Sequence, residues 1–488
     1  MAAIITEKFR QHNAEQFFES FSEASASTYY LFIGKSSPFS VNTSGGDDNS
    51  PPTPNDDVVV EYHKWDSMLA AKIISTSDVS YVAPRRDWAN NTTYDMYEHD
   101  VSASNPTTSA ATNLWDGTFF FMTSEYKVYK VLDNNGGTAY SGVEPTTTSA
   151  IPFELGGYTL QYMYTLSVSE IDKFLTSDFI PVTTDSTVSA AAVDGSIDVV
   201  RVAAGSGYTD GTYYSPIDGD GTGGVVQIVV SGGAIQPQGS SGTNIFNVGS
   251  GYTYATVDLT DTYSDSALTL SSSIGAGVAG SITPIISPRG GHGFNAVEEL
   301  GAHYVMMNTK LEQAEGDDVT VANDFREVGI VKDPYNFGTT TVSTASTRRQ
   351  SYAIKMTAAP STDYIIDEKI TQTTTGAVGR VVEWDASRNI LYYVQERFSD
   401  YGINTAGNYV AFSGANTVTG ATSGAAAIPS TTASENVTLA GGTTLTFTSG
   451  YANPELEPDS GHILYVENRR PISRASDQTE DIKIVVEF

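Results

Sequence analysis

The chain has 488 residues, 26 Lys+Arg against 57 Asp+Glu for a formal net charge of −31, and no cysteine. That charge opposes approach to nucleic acid and to anionic membrane. The missing cysteine excludes a disulfide framework, a thiolate nucleophile and a thiolate metal site.

At ~100–200 residues per domain the length suggests about two to four domains, each able to bury a core. The opening MAAIITEKFRQHN lacks the apolar core of a secretory signal, and no apolar run of ~18 residues occurs. A soluble protein of a reducing cytoplasm is expected.

In chain order, Thr6–Phe21 reads as a helix, with Ile5, Phe9, Phe17 and Phe21 on one apolar stripe. YYLFIGKSSPF, at Tyr29–Phe39, reads as a buried strand stopped by Ser-Ser-Pro, and VNTSGGDDNSPPTPNDD as a loop. WDSMLAAK, at Trp65–Lys72, reads as a second helix. FFFMTSEYKVYKVLDNNGG is a strand ending in a turn, and YTLQYMYTLSV is another strand. SVSEIDKFL is a short helix whose Ser167 and Glu170 have capping-box spacing.

From about Val182 the composition shifts to Gly, Ser, Thr and Ala. GSGYT occurs at Gly205 and again at Gly249, 249 − 205 = 44 residues apart. Its glycines suit a tight turn with φ > 0, with the tyrosine packed over that turn, feeding a strand. HYVMMNTKLE and FREVGIVKDP then read as strands. In a second Gly/Thr/Ala-rich region, GRVVEWDASRNILYYVQ gives two strands about the turn Asp385–Asn389. NVTLAGGTTLTFTSG gives a hairpin that sets Val437 and Leu439 against Leu445 and Phe447.

The fold class read from these elements is mainly β: a multi-layer β-sandwich framework with a few short helices and two inserted small β modules. Residues 1–183 are the N-terminal framework part, 184–283 an inserted module carrying the GSGYT repeat, and 284–357 the middle framework part. Residues 358–430 are a second inserted module, and 431–488 supply the closing framework strands.

No catalytic constellation emerges. GSGYT has its serine in the wrong slot for a nucleophile elbow. DGDGTGG, starting at Asp218, has Thr222 and Val229 where a calcium loop needs oxygen ligands. PRGGHG lacks the Lys-Ser/Thr of a phosphate loop. His292 reads as a turn or packing residue, and Glu298-Glu299 and Asp317-Asp318 as solvated charge. No cofactor and no metal are expected.

Two basic corners stand out against the acidic background, PRRDW with Arg85, Arg86 and Trp88, and NRRP with Arg469 and Arg470. Arginine beside tryptophan suits a protein interface; pairing with the chain's own acids is the competing expectation.

The closing segment, GHILYVENRRPISRASDQTEDIKIVVEF, resembles the C-terminus of the gene-product-eight family of baseplate wedge subunits from T-even-like contractile-tailed phages. The shared elements are the YxENRxPI corner, the DQTE turn and the final alternating strand. YVAPRRDW, YYLFIGKSSPF (with Phe39 in an aromatic slot), YTLQYMYTLSVSEIDKF and FREVGIVKDP resemble further blocks of that family, in the same order. The two Gly/Thr-rich regions have no counterpart in that resemblance.

The resemblance implies a mainly β structural virion protein of the tail baseplate, assembled in the host cytoplasm. It implies a homodimer that joins other wedge proteins and rearranges on contraction, with no enzymatic activity and no cofactor. A different reading makes the chain a carbohydrate-binding or carbohydrate-cleaving tail protein whose Tyr-rich inserts, with Tyr208 and Tyr252, form a sugar platform. In the last strand, Ile482, Ile484, Val486 and Phe488 share one face, suited to closing a sheet. The NRRPISRASDQTED segment before it is expected to be a surface loop.

Overall fold

The fold was obtained as a computed structural model, which describes residues 6–23, 25–40, 46–54, 58–262, 274–312, 319, 323–397, 403–473, 475 and 477–488. It is mainly β, built from antiparallel sheets with a few short helices. The chain divides into two compact units: Met1–Gln16, Ser80–Met306 and Val485–Phe488 in the first, Phe17–Val79 and Met307–Ile484 in the second.

The second unit contains a five-stranded sheet. Its order is Thr347–Arg349, Met68–Ile74, Tyr29–Gly34, Phe325–Lys332 and His462–Ile472, every neighbour antiparallel. Strands from 1–183, 284–357 and 431–488 thus pair side by side. YYLFIG is buried at all six positions, as a strand covered on both faces must be.

The expected helix at Trp65–Lys72 is corrected. A helix over Val58–Ser67 stops at Ser67, and Met68–Ile74 is a strand. Met68, Leu69, Ala70 and Ala71 are all buried, so MLAA is a continuous apolar run. Such a run carries no period to separate helix from strand, and the sheet decides. The second sheet of this unit has seven strands, from Ala426–Ala427 at one edge to Tyr451–Ala452 at the other. It encloses a core that includes Ile354, Val381, Tyr393 and Phe412. The hairpin near Gly441 forms with Val437 opposite Leu445.

Charges are buried here in pairs. Lys35 Nζ lies 3.7 Å from Glu396, Lys64 binds Glu327, and Arg326 grips Asp48 through two 3.0 Å contacts. Arg397 reaches Asp66 at 3.4 Å and Asp459 at 3.1 Å.

Burial pushes the Asp66 carboxyl up from 3.8 to about 7, against the pull of Arg397. A carboxyl raised in the folded state stabilises the fold fully below pH 3.8, and that contribution is lost as the pH climbs to about 7. Asp66→Asn, which cannot ionise, should therefore gain on the wild type through this window, by on the order of 1.4 kcal/mol per pH unit. Denaturant midpoints of both proteins at pH 5 and pH 7 measure it; a constant difference between them refutes it.

The first unit is built on a four-stranded sheet, Phe120–Met122, Lys127–Asp133, Tyr158–Thr165 and Phe153–Leu155. FFFMTSEYKVYKVLD is a hairpin rather than one strand, turning at Tyr126 with φ 60°. Two cores cover the sheet. One holds Phe119, Phe120, Met122 and Met163, the other Phe121, Tyr129, Leu160 and Tyr162. The helix Val168–Phe174 starts with the expected capping box: Glu170 N–H donates to Ser167 Oγ at 3.2 Å and Ser167 N–H to Glu170 Oε2 at 2.7 Å.

The first helix spans Glu7–Glu19, and the stripe read for it holds only at its end, where Phe17 is half-buried and packs edge-on at 5.3 Å against the buried Phe21. Phe9 is 54% exposed, Gln11 and Ala14 are the buried positions, and Ile5 lies outside the described residues. Gln11 is drawn in because its Nε2 donates to Glu298 O at 3.0 Å.

Residues between Ile197 and Ile286 carry a core of their own. Both GSGYT copies lie in it and use one device. Gly205 and Gly249 have φ of 58° and 61°, and a Cβ on either would meet the backbone nitrogen of Gly280 or Gly224 within 2.6 Å. The tyrosine of each motif does not cover its own turn; it lies on a distant Gly-x-x-Gly segment. Tyr208 covers Gly277 and accepts the Gly280 N–H at 3.0 Å, and Tyr252 covers Gly221 and accepts the Gly224 N–H at 3.1 Å. The pairings are nested: Ser206 pairs with Val278, and between them Ser250 pairs with Thr222. DGDGTGG is part of this device, with Asp220 accepting the N–H groups of Thr253 and Tyr254.

The final strand runs Thr479–Glu487 and lies at the edge of its sheet. Ile482 and Ile484 are each 7% exposed, while Val486 and Phe488 are half-buried. Within the first unit, Val485 packs on the cluster of Val82, Phe174 and Met306, and the Phe488 N–H donates to His303 O at 3.2 Å.

Candidate assembly surface

The two basic corners fall in different units and in different surroundings. PRRDW follows the strand Val79–Pro84 and is stitched to the Phe120–Met122 strand: Met122 N–H donates to Arg86 O at 2.7 Å, and Trp88 N–H to Met122 O at 2.8 Å. Arg85 closes on Asp87 through Nε, at 2.9 and 3.1 Å, and donates from Nη1 to Thr176 O at 2.8 Å. Arg86 turns inward. Its guanidinium lies 4.4 Å from the Phe120 ring centroid and donates to Trp115 O at 2.9 Å. Burial lowers its pKa to about 10, against the opposing pull of Asp95 and Asp116. Trp88 is half-buried and meets Tyr140 edge-on at 5.9 Å. These contacts spend most of the corner on its own chain.

NRRP is not in a loop. Arg469 and Arg470 belong to the strand His462–Ile472, the edge of the five-stranded sheet. The pairing irregularity between Phe325 and Glu327 on the neighbouring strand sets two residues there against Asn468 to Ile472. The excess bulges, and Pro471, which has no N–H to give, is tolerated at such an edge. Arg469 Nε donates to Glu467 at 3.0 Å and Arg470 Nε to Asn49 O at 3.2 Å. Both side chains remain exposed.

On the same strand Leu464 is 51% and Tyr465 38% exposed. Neither was singled out from the sequence. The available signal was ILYV itself, a four-residue apolar run that one buried face does not use up. An edge strand with exposed apolar and cationic side chains offers backbone hydrogen bonds, area and charge to a partner surface.

Tyr208 and Tyr252, the expected sugar platform, are 8% and 3% exposed and hydrogen-bonded inside their module. Neither presents a ring face to a ligand. Among the described residues no three metal-ligating side chains cluster, and no helix is long and apolar enough to cross a membrane. Glu299 is not solvated charge: it is 5% exposed and binds Lys130. Asp317 and Asp318 lie outside the described residues.

Residues 3–151 match the family model described as Bacteriophage T4, Gp8. The chain is similar to the gp8 family of baseplate wedge proteins. The match contains YYLFIGKSSPF and YVAPRRDW, so the stitched Arg86 corner belongs to the matched region. The C-terminal YxENRxPI block lies outside those residues. A stretch of 101 residues is 31% identical to the baseplate wedge protein gp8 of Enterobacteria phage T4, covering 20% of this chain and 30% of that protein. The chain thus aligns with about a third of the length of that curated relative.

Proposed function

We propose that the chain is a structural virion protein, a wedge subunit of a contractile tail baseplate, acting through surface complementarity rather than chemistry. The observation that carries this reading is the gp8 family match over residues 3–151. The subunit is a homodimer, joins other wedge proteins, is assembled in the host cytoplasm, and takes part in the rearrangement on contraction. It works without a cofactor. Residues 184–283 and 358–430 are β modules set into a framework of 1–183, 284–357 and 431–488. The second module is tied in by Lys35–Glu396 and Asp66–Arg397.

The exposed edge strand supports a specific assembly site. On that strand Leu464, Tyr465, Arg469 and Arg470 are exposed; Arg85 and Trp88, in the other unit, are half-buried and leave less for a partner. Obligate interfaces of such assemblies bury more than ~2,000 Å². The purified protein should run as a dimer in light scattering and copurify with neighbouring wedge subunits. Arg469→Glu with Arg470→Glu should weaken that copurification by about tenfold or more while leaving the melting temperature in place. A monomer that captures no wedge protein refutes the function, whereas assembly undisturbed by the double charge reversal refutes only the site.

A further inference from the structure

A cavity of about 540 Å³ opens in the first unit, in the size range of small-molecule sites. Its walls come from the segment 150–154, the strand Tyr158–Thr165, residues 191–198 and the strand Asn244–Ser250. His292 lies in its lining. The imidazole is 5% exposed and packs edge-on to Tyr97 at 5.0 Å, yet neither Nδ1 nor Nε2 has a hydrogen-bond partner. Buried ring nitrogens are rarely left so. Asp198, also in the lining, comes within 3.9 Å of Nε2 and is oriented by Ser196 Oγ at 2.7 Å.

We propose that this cavity binds a small neutral polyhydroxylated ligand, a monosaccharide or disaccharide, with His292 and Asp198 among its hydrogen-bonding groups. The site is independent of Tyr208 and Tyr252 and of the scaffold role. Three observations choose the ligand class. No lysine or arginine lines the cavity, and the Asp198 and Glu154 carboxylates do, so anions are disfavoured. Burial first, then the charge of Lys130 behind the wall, hold His292 well below its usual range, so it meets a ligand as a neutral imidazole. The remaining lining mixes amides and hydroxyls, Gln161, Gln238, Asn244 and Thr159, with the apolar surfaces of Pro152, Phe153 and Ile245. Sugar hydroxyls both donate and accept, and their C–H faces meet apolar walls.

Saturation-transfer NMR on the full chain tests this with glucose, galactose, N-acetylglucosamine and maltose at up to roughly millimolar concentrations, with spermidine and inorganic phosphate as charged probes. At least one saccharide should bind saturably. Ala192→Trp, which fills the cavity from a half-buried position, and His292→Phe, which keeps the ring but loses both nitrogens, should each weaken it about tenfold or more. Melting curves identify a variant that has lost its fold, and Ala192→Trp is the arm chosen to keep it. Binding of no saccharide, binding only of spermidine or of phosphate, or saccharide binding unchanged in folded Ala192→Trp overturns the proposal.

Discussion

Lys130→Met is expected to destabilise the first unit by about 3–5 kcal/mol, because it strands a buried carboxylate. Lys130 is 0% exposed and its Nζ lies 2.5 Å from Glu299 Oε2. The same ammonium stands 4.2 Å from the Tyr97 ring centroid. Burial drives its pKa down, and Glu299 is the main force holding the charge in place. Glu299 in turn accepts the N–H groups of Gly293 at 2.8 Å and Asn295 at 3.3 Å, so it orders the glycine-rich turn around His292. Loss of the lysine leaves that carboxylate 5% exposed and without its cation. Adding Glu299→Gln to Lys130→Met should recover a large part of the loss, since an amide has no charge to strand. Urea midpoints of the two variants and the wild type give the values. A loss below about 1 kcal/mol for the single variant would mean that the pair is solvated, contrary to its burial.

The second large effect is at Gly329, in the strand between Tyr29–Gly34 and His462–Ile472. A Cβ there would lie 2.3 Å from Cζ of Phe32 and 2.5 Å from the backbone oxygen of Tyr465. Phe32 is fully buried and the Tyr465 carbonyl belongs to the neighbouring strand, so neither has room to withdraw. Gly329→Val should cost about 3 kcal/mol, with Gly329→Ala smaller in the same direction. It should also prise the edge strand from its sheet and lower subunit assembly along with stability. The Arg469/Arg470 reversal lowers assembly alone, so the two variants separate a fold effect from a surface effect. A Gly329→Val protein with the wild-type denaturation midpoint would show that Phe32 and Tyr465 are not held as described.

Legibility from sequence was uneven, for physical reasons. Alternation marked the last strand because one face is apolar at every second residue, and Ile482 and Ile484 are indeed buried. The Ser167–Glu170 capping box was readable because both partners are local. Met68–Ile74 was misread because a strand buried on both faces loses its period. Lys130 and Glu299 are separated by 169 positions, and each alone resembles ordinary surface charge; nothing local announces that they meet. At the assembly surface, the arginine pairs were visible as composition. Whether each is spent depended on tertiary neighbours: Phe120 and Trp115 take up Arg86, while Arg469 remains at an open edge. The GSGYT repeat was plain, but its Gly-x-x-Gly seats were not, because they form only by long-range, nested pairing.

That nesting has a consequence for how the protein is made. The first GSGYT turn needs Gly280, which leaves the ribosome 280 − 205 = 75 residues later, although a look-alike seat at Gly221–Gly224 emerges much sooner. High sequence separation slows closure. The first turn therefore cannot close on its own seat until that segment has been made, so this stretch completes its fold only when its last strand arrives.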